Sequence, residues 1–352
     1  MIRQATLTAA SAALALGLFT GAAGAAPPNV VDCDANNSNS IQAAVDFAFG
    51  PTTIFVSGIC TENVSITKDD ITLSGNQAGD GCDRANPGGT ATIDGTVTVD
   101  GVRARIEFLT ITGSGDGVDI VNRADVRLTC NDISGNEAGG VSVVRASNAV
   151  LRDNTLSSNG QRRFNDPFVF FDCGLFAADA SSVFSVGNTY KDNQYCAIEI
   201  DRQSAFRNGR FLPREPGNPA VPDERDVYTE KGCNPGTGAG CFIDDFGPVA
   251  IEVFNGGVVD IRNADVNGEI EAAGLSSFRV DGDAAVQGNI HNEVGSIVRL
   301  RDRSFLGDRV VTYTGTLDCS GGSQAFFSNV QCGQTCSGGI TATGPGGDTC
   351  VP

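Results

Sequence analysis

Short runs of alternating apolar and polar residues recur along the chain, separated by Gly, Asn, Asp and Ser. Val118 and Ile120 alternate with polar neighbours, and Val141 and Val143 repeat this pattern 23 residues later. Alternation with a period of two predicts β-strands, and its return at a fixed interval predicts stacked repeats. One coil cannot bury its own apolar face, whereas neighbours on both sides can. The pattern therefore predicts a solenoid of parallel strands.

Asparagines recur in step with these strands. The pattern Asn-x-apolar-x-x-Asn occurs at residues 131–136, 154–159 and 188–193. Asn side chains readily hydrogen-bond backbone groups in turns. We expect the matched asparagines to stack in a turn, each one satisfying backbone groups of the neighbouring coil.

An amphipathic helix is predicted before the first coil, at residues 40–49. Ile41, Ala44, Val45 and Ala48 recur at helical spacing, and Ser40 is a suitable N-cap. Such a helix can cover the open end of a solenoid, where apolar core and unpaired strand edges would otherwise be exposed.

Near the C-terminus the repeat shortens to 20 residues. Coils of this length are predicted over residues 249–315, and the Gly-, Ser- and Cys-rich segment 316–352 is predicted to form a C-terminal cap pinned by disulfides. The positions that carry the shorter repeat are Val266, Val286 and Leu306, and Ile270, Ile290 and Val310.

The first 26 residues have the pattern of a secretory signal peptide. Arg3 precedes an apolar run at residues 9–19, and small residues follow at residues 21–26. No later run is long enough to cross a bilayer. We therefore expect an exported protein, extracellular or periplasmic, in which residues 27–352 form one β-helix domain.

The charge balance narrows the range of partners. The chain has 42 acidic and 24 basic residues, for a formal net charge of −18. Nucleic-acid binding depends on basic contacts to phosphate, so this composition argues against it. A polyanionic glycan would also be repelled unless bound cations or a local arginine cluster offset the field.

All twelve cysteines follow the leader, and an even number in an exported protein predicts disulfides. Proximity along the sequence favours Cys33 with Cys60, Cys173 with Cys196 and Cys233 with Cys241, and it also suggests Cys82 with Cys130. The four C-terminal cysteines are predicted to be oxidised as well, although they could instead form a zinc site: Cys319, Cys332, Cys336 and Cys350.

The cap helix, the Gly-x-x-x-Glu-x-Val-x-Ile strand at residues 58–66 and the asparagine-bounded coils resemble the pectate-lyase-like superfamily of right-handed parallel β-helices. The resemblance covers residues 40–208. It implies an all-β fold, a single right-handed parallel β-helix with an N-terminal amphipathic cap helix. It implies no particular activity, because one fold hosts many functions.

Motifs of individual enzyme families are missing. The single histidine, His291, lies in Asn-Ile-His-Asn rather than in the Gly-His-Gly of polygalacturonase-like hydrolases. The Asp-Phe-x-Phe-Gly of pectin methylesterases does occur, at residues 46–50. It lies before the first coil, where the family has its cap, and the companion Arg-Pro-Trp segment of that family is absent. A lyase or epimerase that uses carboxylates and an arginine is the enzyme class that remains.

Two related strands supply candidate catalytic residues. If the aliphatic residues of 197–202 and 250–253 face inward, alternation places Glu199, Asp201 and Glu252 outward on one sheet. Carboxylates about 5 Å apart on paired strands could bind calcium or hold a proton for acid–base catalysis. Arg202 could serve as a base or as a counter-ion. A solvated acidic face is the alternative.

Two insertions are further candidates, because long loops on a rigid scaffold often carry function. Residues 161–171 offer substrate-binding side chains, and residues 210–248 end in a pair of candidate metal ligands. The alternative is that both insertions only cover exposed sheet. The residues concerned are Arg162, Arg163, Phe168 and Phe170 for substrate, and Asp244 and Asp245 for metal.

The sequence thus leaves two hypotheses of function. The first is a lyase-like enzyme that acts on an extracellular polysaccharide. The second is a non-catalytic secreted or surface protein that binds glycans or other partners. Calcium is the one cofactor that the acidic residues suggest.

Overall fold

The structure is a computed structural model. It describes residues 30–34, 40–75, 82, 88–160, 173–209, 225–229, 249–301, 311–314, 317–319, 322–328 and 330–332.

In these residues there is one helix, α1 (Ile41–Phe47), which precedes most of the strands. The strands are β1 (Val30–Asp32), β2 (Thr52–Ser57), β3 (Ile59–Cys60), β4 (Val64–Ile66), β5 (Ile71–Ser74), β6 (Thr92–Asp94), β7 (Val97–Asp100), β8 (Arg103–Glu107), β9 (Thr110–Thr112), β10 (Val118–Val121), β11 (Asp125–Thr129), β12 (Asp132–Ser134), β13 (Val141–Val143), β14 (Asn148–Arg152), β15 (Thr155–Ser157), β16 (Leu175–Ala177), β17 (Ser182–Val186), β18 (Thr189–Lys191), β19 (Cys196–Ile200), β20 (Ala205–Asn208), β21 (Asp226–Thr229), β22 (Val249–Val253), β23 (Val258–Asn267), β24 (Glu269–Ala272), β25 (Ser277–Gln287), β26 (Ile290–Asn292), β27 (Ile297–Arg301), β28 (Val311–Thr314), β29 (Leu317–Cys319), β30 (Gln324–Ser328) and β31 (Val330–Cys332).

These strands form a parallel β-helix with three sheets. Sheet 1 holds ten strands, β4, β7, β10, β13, β16, β19, β22, β24, β26 and β29. Sheet 2 runs from β1 through β2, β5, β8, β11, β14, β17 and β20 to β23, β25, β27 and β30. Sheet 3 begins at β3 and shares the long strands β23 and β25 with sheet 2, because each of them pairs with one strand in either sheet.

The register confirms the 23-residue repeat. Val118 lies opposite Val141 and Ile120 lies opposite Val143. Side chains alternate between buried and exposed along most strands, and the buried ones stack into a continuous aliphatic core. Each coil therefore completes the core of the next, as expected for a solenoid.

The 20-residue repeat holds only in part. Ile270 lies opposite Ile290, as predicted, but Val286 pairs with Tyr313 and Ile290 pairs with Leu317. The prediction that Leu306 and Val310 continue the stack is therefore wrong. The coil that follows β27 has seven additional residues, and these move the inward positions along the sequence.

The predicted asparagine ladders are present, one inside the turn between sheets 2 and 3 and the other inside the turn between sheets 3 and 1. The backbone N and Nδ2 of Asn131 both donate to Oδ1 of Asn154 at 2.9 Å. Nδ2 of Asn154 donates to the Leu128 carbonyl at 2.9 Å, and Asn154 donates in turn to Asn188. A second ladder joins residues 136, 159 and 193 in the same way. The side-chain NH₂ groups of both ladders thus find acceptors within the protein, whereas Oδ1 of Asn136, at the start of the second ladder, is buried without a hydrogen-bond partner.

The N-terminal cap is tied to the first coils by side chains. Ser40 is the N-cap and accepts from the backbone of Ala43 at 2.9 Å, as predicted. The carboxylate of Glu62 accepts from the first two amides of α1, those of Ile41 and Gln42, at 2.7 and 3.1 Å. Gln42 hydrogen-bonds the backbone of Ser65, which lies in the edge strand of sheet 1. This edge is therefore covered.

Three predicted disulfides are formed: Cys33 with Cys60, Cys82 with Cys130, and Cys173 with Cys196. Cys319 differs from the prediction, because it carries a free thiol. It ends β29, packs against the core and accepts a hydrogen bond from Asn292. The side chains of the other predicted disulfide cysteines lie outside the description: Cys233, Cys241, Cys332, Cys336 and Cys350.

Candidate functional site

The predicted acidic residues meet on the outward face of sheet 1. Ile198 lies opposite Ile251, and Glu199 lies opposite Glu252. The isoleucines belong to the core, so strand alternation directs the two glutamates outward. The predicted register of these two strands is confirmed.

The surroundings of this pair differ from the solvated acidic face that was the alternative interpretation of the sequence. Glu199 is 6 % exposed and Glu252 is 2 % exposed. One oxygen of Glu199 lies 3.8 Å from the sulfur of Cys173, so the Cys173–Cys196 disulfide packs against the carboxyl group. Strand alternation determines the face of the sheet to which a side chain points, whereas its burial depends on what covers that face.

Burial determines the protonation of the pair. It raises the pKa of Glu199 to about 8, with a further rise from Asp201 that Arg202 partly offsets. Burial, with smaller contributions from Glu199 and Glu271, also raises the pKa of Glu252 well above its ordinary value. At neutral pH Glu199 therefore holds its proton, because low polarity disfavours two adjacent carboxylates.

Asp201 and Arg202 form an ion-pair network directly after the C-terminal end of β19, an inner strand of this sheet. Arg202 donates from Nε to Asp201 at 3.0 Å and from Nη1 to Asp179 at 3.1 Å. Asn255 donates to Asp201 at 2.8 Å. Hydrogen bonding to Asp179 raises the pKa of Arg202, so the guanidinium stays charged. This favours the counter-ion interpretation of Arg202 over its use as a base.

An open cleft lies beside this network. It has a volume of about 340 Å³ and is lined by Asp179, Ala180, Arg202, Gln203 and Asn255. The side chain of Arg202 is half exposed there, while that of Asp201 is nearly buried behind it. The backbone of Arg202 is left-handed, with φ of 47°, which is uncommon for a residue with a side chain. This turn presents the guanidinium to the cleft.

The outward row continues into two residues that sequence reasoning did not select. Glu271 lies opposite Glu252, and His291 lies opposite Glu271. Both are partly exposed, and His291 Nε2 lies 3.9 Å from a carboxylate oxygen of Glu269. Burial and Glu293 raise the pKa of Glu271, while His291 lowers it.

A signal for these two residues was present in the sequence. Each directly follows one of the inward isoleucines, Ile270 and Ile290, that carry the 20-residue repeat. Strand alternation alone places such residues outward and in one row. Their alignment with Glu252 was harder to see in the sequence, because the register between β22 and β24 shifts between Val249 and Ile251.

The remaining predicted site residues lie outside the described part of the chain: Arg162, Arg163, Phe168, Phe170, Asp244 and Asp245. Calcium requires six to eight oxygen ligands, largely ionised carboxylates. The carboxyl groups of Glu199 and Glu252 offer at most four oxygens and are nearly inaccessible, so the pair does not meet that requirement by itself. Within the described residues, the groups of side chains close enough to share a metal are two disulfides, each with one glutamate.

This fold defines the chain as a parallel β-helix protein. Residues 57–211 match the family described as "Right handed beta helix region", in agreement with the predicted handedness. No curated protein and no solved structure matches the chain. Three disulfides are typical of an oxidising environment. Within the described ranges, no helix is long and apolar enough to cross a membrane.

Proposed function

We propose that this secreted protein acts on an extracellular polysaccharide beside the C-terminal end of β19 in sheet 1, with Glu199 as proton donor. One observation carries the proposal: a carboxyl group with a pKa of about 8 stands beside an ion-paired aspartate, and a charged arginine opens onto a cleft. Two titratable groups in contrasting environments are the arrangement from which acid and base roles are assigned. The predicted leader and the disulfides support export.

The reaction class that fits these groups best is elimination on a uronate polymer. Arg202 binds the uronate carboxylate from the cleft, where its charge also makes the adjacent C–H more acidic. Asp201 accepts that proton as the bond to the glycosidic oxygen breaks, and a carbon–carbon double bond forms. Glu199 gives its proton to the leaving oxygen. No oxidant or reductant is required.

The test uses a panel of polysaccharides, uronate polymers included, with and without calcium. Absorbance of unsaturated products reports elimination, whereas reducing ends that form without this absorbance report hydrolysis. Wild type is expected to release unsaturated products, and Glu199→Gln is expected to lose them, since general acid catalysis typically contributes 10²–10⁴-fold. Asp119→Asn is the matched control, because Asp119 lies in the same outward row, three strands away. No product from any uronate polymer would refute the lyase.

A second function, non-catalytic glycan binding, is favoured by a different observation. Glu199 and Glu252 are nearly inaccessible, whereas Glu271 and His291 in the same row are partly exposed. A protein of this kind binds the polymer without changing it. Retention of a polysaccharide by wild type, with no product after long incubation, would select this alternative.

A further inference from the structure

Arginines concentrate on the outward face of sheet 2. In the described chain, this face carries eight of them, whereas the outward row of sheet 1 is acidic. From β8 to β27 four acids share the face, and two of them, Asp260 and Asp281, are buried. We call this surface the arginine face, and it consists of Arg103, Arg105, Arg127, Arg152, Arg207, Arg262, Arg279 and Arg299.

The register brings like charges together on the arginine face. Arg105 lies directly opposite Arg127, and Arg279 lies directly opposite Arg299. Like charges at paired positions destabilise a sheet. This chain has 42 acidic residues with which such positions could be neutralised. The arrangement opposes stability, so we attribute it to binding.

Several of these guanidinium groups are available to a ligand. Arg105, Arg127, Arg152 and Arg207 are exposed. Within the described ranges none of the four has an ion-pair partner, in contrast to Arg103, which contacts Asp70 at 3.0 Å. The charges of Arg105, Arg127 and Arg152 are therefore not neutralised within the described part of the fold, whereas Arg207 lies directly opposite Asp260.

We propose that the arginine face binds a linear acidic polysaccharide laid along the axis of the β-helix. Guanidinium groups bind carboxylate and sulfate oxygens through paired hydrogen bonds. Parallel strands lie about 4.8 Å apart, so the face from β8 to β27 is roughly 34 Å long, with about one arginine per coil. That spacing suits a polymer with one acidic group per sugar.

The same spacing argues against nucleic acid, which carries one charge per ~1.7 Å of duplex. The net charge of −18 does not prevent binding of one polymer chain. Charges on other faces are screened beyond about 8 Å at physiological ionic strength. A partly exposed ring, Phe326, stacks under Arg299 at 5.3 Å and offers an apolar contact for a sugar ring.

The test compares two double variants with wild type. Arg105→Gln with Arg127→Gln removes two charges from the arginine face. Arg123→Gln with Arg145→Gln removes two charges from exposed turn positions that follow strands of sheet 1. Binding to a polyuronate, a sulfated polysaccharide and neutral dextran is measured over a series of salt concentrations, in EDTA. The two acidic polymers separate carboxylate from sulfate recognition.

We expect salt-dependent binding to at least one acidic polymer and none to dextran. The first double variant should bind roughly tenfold more weakly, because two exposed charge contacts are lost, and the second should bind like wild type. Equal weakening in both variants, or none in either, would overturn the proposal. So would the absence of binding to either acidic polymer.

This surface is independent of the proposed catalysis, because it lies on a different sheet. Polymer binding and product release are therefore separate readouts for the two proposals. If binding persists but no product forms, the proposed catalysis fails alone. If product forms and the arginine variants bind normally, the arginine face fails alone.

Discussion

Glu199 should make the stability of the fold depend on pH in a direction unusual for a carboxyl group. Its pKa is about 8 in the folded chain against an ordinary value of 4.5. Below pH 4.5 both states hold the proton, and the carboxyl group costs nothing. As the pH rises towards 8, the unfolded chain releases the proton while the folded chain retains it, so the folded state loses stability.

The size of this effect follows from the shift. A difference of one pKa unit corresponds to about 1.4 kcal/mol, so Glu199 should destabilise the fold by up to about 5 kcal/mol at and above pH 8. Glutamine has nearly the same shape and does not titrate. We expect Glu199→Gln to match wild type near pH 4.5 and to exceed it in stability by several kcal/mol near pH 8.

Urea unfolding between pH 4.5 and pH 9 checks this prediction. The quantity to compare is the difference between variant and wild type, because the many other carboxyl groups then cancel. Asp125→Asn is the control, since Asp125 is exposed on sheet 2 and its removal should leave the slope unchanged. A difference between Glu199→Gln and wild type that stays constant with pH would refute the reasoning.

Three further changes test the fold around the site. Asn154→Ala breaks the buried ladder to Asn131, Leu128 and Asn188, and should lower the free energy of unfolding by about 3–5 kcal/mol, whereas exposed Asn148→Ala should change it by less than about 1 kcal/mol. Glu62→Ala removes the carboxylate that caps α1 and should cost about 1–2 kcal/mol in thermal unfolding, with exposed Glu137→Ala as the control. Replacing Cys173 and Cys196 by serine opens a 23-residue loop and should lower the free energy of unfolding by about 3 kcal/mol. Opening the Cys33–Cys60 loop of 27 residues should lower it by as much, without altering the pH dependence that Glu199 imposes. Equal effects in a variant and its control would contradict each prediction.

The architecture could be predicted from the sequence because each coil repeats the same short pattern of residues. Val118 and Val141 differ by one coil, and both the alternation and the asparagines at 131 and 154 follow the same step. Stacking then requires only that equivalent positions lie over one another. The step to Leu306 failed because a longer coil intervenes, and length changes of this kind leave no mark in the alternation.

The candidate site could be predicted only in part. Alternation correctly paired Glu199 with Glu252, but it carries no information about the cover that buries them. The arginine face was hidden for another reason. Arg105 and Arg127 are one short coil apart, whereas Arg207 and Arg279 are separated by an insertion, so their common row appears only when the register is known.

The most direct test of the account is the titration of Glu199 itself. Carbon-13 spectra of side-chain carboxyl groups, recorded from pH 4 to pH 10 on protein labelled at glutamate, report single groups, and Glu199→Gln identifies the signal. We predict a carboxyl resonance that titrates near pH 8 and vanishes in the variant. A Glu199 signal that titrates near pH 4.5 would contradict the protonated state of Glu199 at neutral pH, and with it the proposed role of Glu199 as proton donor.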